Sequence, residues 1–251
     1  MATLQRYFIQ ISYKGTNFHG WQSQENAITI QKILTEVMSL KLQEDIELMG
    51  AGRTDTGVHA SYYIAHFDTT LQNLDKDEKK KGAINNFLPV DIAVQKIIKV
   101  DNNAHARFDA ISRTYKYYIS LEKNPFISEE SVLIKEKLNV ENMNLASKAL
   151  LEYTDFESFC KLHSDNKTSI CKIVEAKWYK KNNTLIFEIT ADRFLRNMVR
   201  AIVGTMLDVG REKITIEQFK NIIEKKDRSA AGTSAKAKGL FLTNIEYSFI
   251  Q

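Results

Sequence analysis

The 251-residue chain is poor in the features that punctuate or anchor a protein: two cysteines, two prolines, ten glycines and two tryptophans. No apolar run approaches the ~20 residues needed to cross a bilayer as a helix. The start, MATLQRYFIQISY, enters a strand pattern without the basic-then-apolar layout of a signal peptide, so the expected compartment is the cytoplasm, with no membrane partner. Cys160 and Cys171 have neither CxxC nor zinc-ligand spacing and read as reduced structural thiols. Low-complexity stretches and Pro/Gly/Ser linkers are absent, so two halves built into one structure fit better than two independent domains.

What is present is a globular composition, 43% hydrophobic and 26% charged, with a net charge of +4. That balance is compatible with a polyanionic partner without requiring one. The lysine-rich runs at 76–81, 179–181 and 224–228 read as solvated faces.

Periodicity predicts a strand at 6–13, a helix over 28–42 behind a Thr29 cap with a stripe of Ile30, Ile33, Leu34, Val37 and Leu42, and a strand at 58–69. A charged helix closed by Pro89 and a strand at 91–100 follow. The pattern β-α-β-β-α-β then repeats. Its second copy has a long strand at 106–122, a helix over 139–153 with the stripe Met143, Leu145, Ala146, Ala149 and Leu150, a hairpin around Asn182-Asn183, helices at 194–210 and 215–226, and a strand at 239–249. Two such halves, residues 1–105 and 106–251, predict an α+β fold: two ferredoxin-like halves forming a mainly antiparallel sheet flanked by helices.

Three of the ten glycines fall in MGAGRTDTGVHA, residues 49–60, around Asp55. Neither a P-loop nor a dinucleotide loop fits, because the third glycine of GxGxxG would fall on Asp55. Asp55, His59, His66 and Asp68 lie within fourteen residues, but the two histidines would face opposite sides of a strand, which argues against a shared metal. A carboxylate held by a glycine turn, with Arg53 keeping it ionised, is suited to act as nucleophile or base. The same two residues could equally staple the turn.

Further along, Leu195, Met198, Val199, Ile202, Val203 and Met206 form a buried stripe on the helix at 194–210, with Arg193, Arg196 and Arg200 projecting together beside it as an anion surface. On SRTYKYYI, Arg113, Tyr115 and Tyr117 share one strand face, where a tyrosine could be core or could stack on a nucleobase.

GAGRTDTGVHA, HARFDAISRTYKYYI, DRFLRNMVRAIVGTMLDVG and AAGTSAKAKGLFLTNIEY, in that order, resemble the TruA family of tRNA pseudouridine synthases, and the match runs from SYKGTNFHGWQSQ to the C-terminus. The resemblance implies an isomerase that converts uridine to pseudouridine at positions 38, 39 and 40 of the tRNA anticodon stem-loop. It implies no cofactor or metal, and a homodimer that binds tRNA in positive clefts. It assigns Asp55 as the catalytic aspartate, Tyr115 (with Tyr117 as the neighbouring alternative) to the target base, Arg200 to the catalytic carboxylate, Arg53 to base flipping and Leu240 to the underside of the base. Arg193 and Arg196 remain for RNA contact. One departure is that GTSAKAKGL carries no proline where many members have one. The rival reading is a non-catalytic RNA-binding module of the same fold.

Overall fold

The computed structural model describes residues 3–161 and 168–250. The order is β1 (Gln5–Tyr13), α1 (Ile30–Leu42), β2 (Met49–Gly50), β3 (His59–Thr69), α2 (Glu78–Phe87), β4 (Ile92–Lys99), β5 (Ser112–Ser120), β6 (Val132–Leu133), α3 (Val140–Ala149), β7 (Ile173–Lys181), β8 (Thr184–Ala191), α4 (Met198–Gly210), α5 (Ile216–Glu224) and β9 (Leu240–Glu246). The architecture is α+β, as the periodicity predicts. It divides into two compact units, Met1–Ile111 with Leu242–Gln251, and Ser112–Phe241.

In the first unit β1 pairs antiparallel with both β3 and β4, and β2 pairs antiparallel with β3, which makes the ferredoxin-like order β4-β1-β3-β2. Tyr7, Phe8, Ile9 and Ile11 of β1 are all buried, because a central strand covered on both faces needs apolar residues at consecutive positions. Thr29 caps α1 by accepting from the Lys32 amide, as predicted. Its inward row is Ile30, Leu34, Met38 and Leu42, spaced four apart; Ile33 and Val37 are only half-buried, so the true stripe includes Met38, which the periodicity missed.

In the second unit β8 pairs antiparallel with β5 and β7, and β6 adds a short parallel pair to β5. The β7–β8 hairpin turns at Asn182, whose φ of 54° is the left-handed conformation that asparagine tolerates. Eleven of the 13 residues of α4 are buried, leaving Arg200 and Asp208 as its less enclosed positions. A helix apolar on nearly all sides sits inside a fold rather than on it.

Three expectations are corrected. The strand predicted from 106 begins at Ser112, because residues 105–109 close a turn in which the His105 amide donates to Asp109 and the Arg107 and Phe108 amides donate to His105 Nδ1. Leu145 is 44% exposed, since it lies off the row made by Met143, Ala146 and Ala149. The helix predicted from 194 starts at Met198, because Asn197 adopts φ 66° and interrupts the helical path. Arg193 and Arg196 therefore precede the helix instead of sharing a face with Arg200.

Candidate active site

The glycine loop joins β2 to β3 within the first unit. The Ala51 amide donates to Ile64 O (2.9 Å), extending the β2–β3 pairing into the loop, and the Val58 amide donates to Asp55 O (3.1 Å), closing the turn. Gly57 has φ +77°, which an L side chain rarely adopts. Gly50 serves another purpose: a Cβ there would stand 2.1 Å from Tyr63 Oη and 2.5 Å from Trp21 Nε1. Gly52 exposes its carbonyl, which accepts from the Tyr63 hydroxyl.

The segment after β1 forms the floor beneath this loop. Thr54 is buried and its hydroxyl bonds to Tyr13 Oη at 2.8 Å. The Trp21 amide donates to Thr54 O (3.2 Å) and the Gly57 amide to Phe18 O (3.3 Å). Gly20, at φ +84°, comes so close that a Cβ would lie 2.3 Å from Thr54 O. Trp21 and Tyr63 stack at 4.2 Å, with Tyr13 beside them. The turn that carries Asp55 is thus held at both ends: at Thr54 from below, and through Gly57 and Val58 behind. Asp55 is half-buried and Arg53 exposed. Sequence reading missed this floor; its signal was KGTNFHGW, a turn with two glycines and the aromatics Phe18 and Trp21 before the first helix.

The residues considered for a metal have other work. His59 Nδ1 accepts from the Gly15 amide (3.1 Å) and His66 Nδ1 from the Ala106 amide (3.1 Å). Arg6 grips Asp68 with two hydrogen bonds of 2.8 and 2.7 Å, which holds the Asp68 carboxyl below its ordinary range. Burial, helped by Arg6 and His105, depresses the His66 imidazole to about 4. A neutral His66 is what an acceptor from Ala106 requires. Among the described residues no group of three His, Cys, Asp or Glu side chains is arranged to hold a metal.

The second unit carries Tyr115, Arg193, Arg196, Arg200 and Leu240. Tyr115 is half-buried and meets Phe194 edge to face at 5.1 Å. Tyr117 is 1% exposed; burial raises its phenol, and its hydroxyl donates to Lys236 O (2.9 Å). The two tyrosines that share a strand face are thus divided into one accessible ring and one sealed in the core. Arg200 Nε donates to Ala235 O (2.8 Å), and the Ala235 amide returns a bond to Arg200 O (2.9 Å). Leu240 is buried at the start of β9. Arg196 is exposed, and its carbonyl accepts from the Lys161 amide (3.0 Å). Cys171 is buried and its thiol is pushed up to about 12 by that burial, which makes it inert packing.

Residues 9–109 and 146–248, within both units, match a family model described as tRNA pseudouridine synthase. The α+β fold with its aspartate loop is thus that of an RNA-modifying class, and the chain belongs to the tRNA pseudouridine synthase family. Its relatives named tRNA pseudouridine synthase A include one from Bacteroides fragilis, 52% identical over 246 residues, covering 98% of this chain and 97% of that protein. One from Bacteroides thetaiotaomicron is 51% identical, covering 97% and 91%. A more distant one, from Francisella tularensis, is 36% identical over 247 residues, covering 97% and 95%.

Proposed function

We propose that this protein is a tRNA pseudouridine synthase that isomerises uridine at positions 38, 39 and 40 of the anticodon stem-loop, with Asp55 as its catalytic group. The observation that carries the reading is the Asp55 turn, immobilised on both sides and open to solvent, in a chain about half identical over its whole length to proteins named tRNA pseudouridine synthase A.

The reaction breaks the N1–C1′ bond and forms C5–C1′; N1 gains a proton and the C5 proton leaves to solvent. It is redox-neutral and adds no atoms, so one carboxylate suffices where a glycosidase uses two: the detached uracil is both leaving group and returning nucleophile. Asp55 acts at C1′, at C6 or on the C2′ proton. The base must first leave the helical stack. Arg53, exposed two residues from Asp55, fills the space it vacates; the accessible ring of Tyr115 packs on it and Leu240 lies beneath it. Arg200 pairs with the catalytic carboxylate, and Arg193 and Arg196 hold phosphates. The enzyme works in the cytoplasm as a homodimer.

Tritium release from tRNA carrying uridine labelled at C5 tests this. Wild-type protein releases label from positions 38 to 40, and Asp55→Asn drops to background while still binding tRNA. Undiminished release by Asp55→Asn overturns the role of Asp55; a wild-type protein that binds tRNA but releases nothing is a binding module.

A further inference from the structure

The segment from Ala231 to Gly239 lies across α4 as a strap, and Arg228, in the run 224–228 read from sequence as a solvated face, is instead half-buried and holds its upstream end. Arg228 Nη2 donates to Ser234 Oγ (2.8 Å), and Nη1 donates to Gly232 O (3.2 Å) with a longer contact to Ala231 O (3.4 Å). All these acceptors are neutral and all belong to the strap. Among the described residues Arg228 has no carboxylate partner, so this guanidinium is used as a planar fork and not as half of an ion pair.

The strap is seated on α4 as closely as a backbone allows. A Cβ on Gly204 would fall 1.9 Å from Thr233 O. The Gly232 amide donates to Thr205 Oγ1 (2.9 Å), and Asn197, at the head of α4, donates to the same Ser234 Oγ that Arg228 holds (2.7 Å). Directly after Ser234 comes Ala235, whose amide and carbonyl both bond to Arg200. The Tyr117 hydroxyl then fixes Lys236 O, and Leu240 follows at the end of the strap.

We infer that Arg228 is a positioning residue for the isomerisation: by clamping Gly232 and Ser234 it sets the carbonyl of Ala235, and through it the orientation of the Arg200 guanidinium. The inference rests on the reading of Arg200 as partner of the catalytic carboxylate. The physical reason is leverage. The guanidinium is planar, so the bond from Arg200 Nε to Ala235 O fixes the plane in which its terminal nitrogens lie. A strap displaced by 1 Å rotates that plane, and a misplacement of that size costs up to ~100-fold in rate.

Single-turnover tritium release with saturating enzyme, beside tRNA binding by fluorescence anisotropy, tests it. Arg228→Ala is expected to slow the single-turnover step by ~10- to 100-fold with tRNA affinity within ~2-fold of wild type. Arg228→Lys, which keeps the charge but not the fork, recovers little of the rate. On an Arg200→Lys background, where no Nε–H exists for the strap to hold, Arg228→Ala adds no more than ~2-fold, because coupled residues are not additive. If Arg228→Ala does not fold, Ser234→Ala removes the acceptor shared by Arg228 and Asn197 without changing charge and carries the test with a several-fold loss of rate. An unchanged single-turnover rate, a full additive loss on Arg200→Lys, or a loss confined to affinity with a shallower salt slope overturns the inference; the last result makes Arg228 a phosphate contact. With Asp55→Asn run alongside, release persisting in that variant defeats the proposed function, whereas a failure confined to the Arg228 arms defeats this inference alone.

Discussion

Gly50 shows how a missing methyl group builds the site. Tyr63 and Trp21 occupy the space a Cβ would take, and Tyr63 uses that proximity to bond the Gly52 carbonyl just ahead of Arg53. Gly50→Ala should lower stability by about 1–3 kcal/mol, the usual cost of overpacking a dense interior, and should reduce tritium release by loosening the loop. Thermal denaturation beside the activity assay checks both. His66 sets a pH limit of its own. Its folded value of about 4 lies below the ordinary 6.5, so the unfolded chain takes up the proton first. Its contribution is complete above pH ~6.5 and is lost as pH falls towards 4, at most about 3 kcal/mol. Arg6, His105, Asp68 and Asp109 face it, and Asp68, held low by Arg6, loses its own contribution in a more acidic range. Urea midpoints measured between pH 7 and 4.5 should fall in wild type and fall less in His66→Gln.

At the scale of elements, α4 separates what periodicity reports from what it cannot. All six residues of its predicted apolar stripe are buried, but only five lie on the helix, Leu195 preceding it. Leu195 continues the apolar stripe upstream and no glycine or proline separates it from Met198, so nothing local announces that φ at Asn197 is positive. The consequence is functional: Arg196 stands on an exposed turn instead of a helix face. Arg196→Ala should weaken tRNA binding and reduce the steepness of its salt dependence by roughly 0.7–0.9 for one lost phosphate contact, read from binding isotherms over a salt series. An unchanged slope assigns the side chain to structure. By contrast α5 is a helix where periodicity put one, and the structure adds what starts it: Thr215 and Gln218 form a reciprocal capping box.

For the whole molecule, the proposed homodimer predicts a mass by light scattering of twice 28.8 kDa, and a monomeric mass at micromolar concentration rejects it. The predicted boundary at 105/106 and the division between Ile111 and Ser112 differ by six residues, which hold most of the His105–Asp109 turn, and Leu242–Gln251 groups with the first unit. The sequence by itself determined the α+β pattern, the cap at Thr29, the hairpin at Asn182 and the motifs that mark the family. These are local: each depends on periodicity or on residues a few positions apart. Tertiary structure alone decided that Tyr115 is accessible while Tyr117 is sealed, that Gly50 yields space to Trp21 and Tyr63, and that Arg228 reaches across the strap holding Arg200. Those outcomes depend on which atoms exclude one another after the chain has packed, and burial on a shared strand face, or contact between residues 35 positions apart such as Arg200 and Ala235, leaves no mark in local spacing.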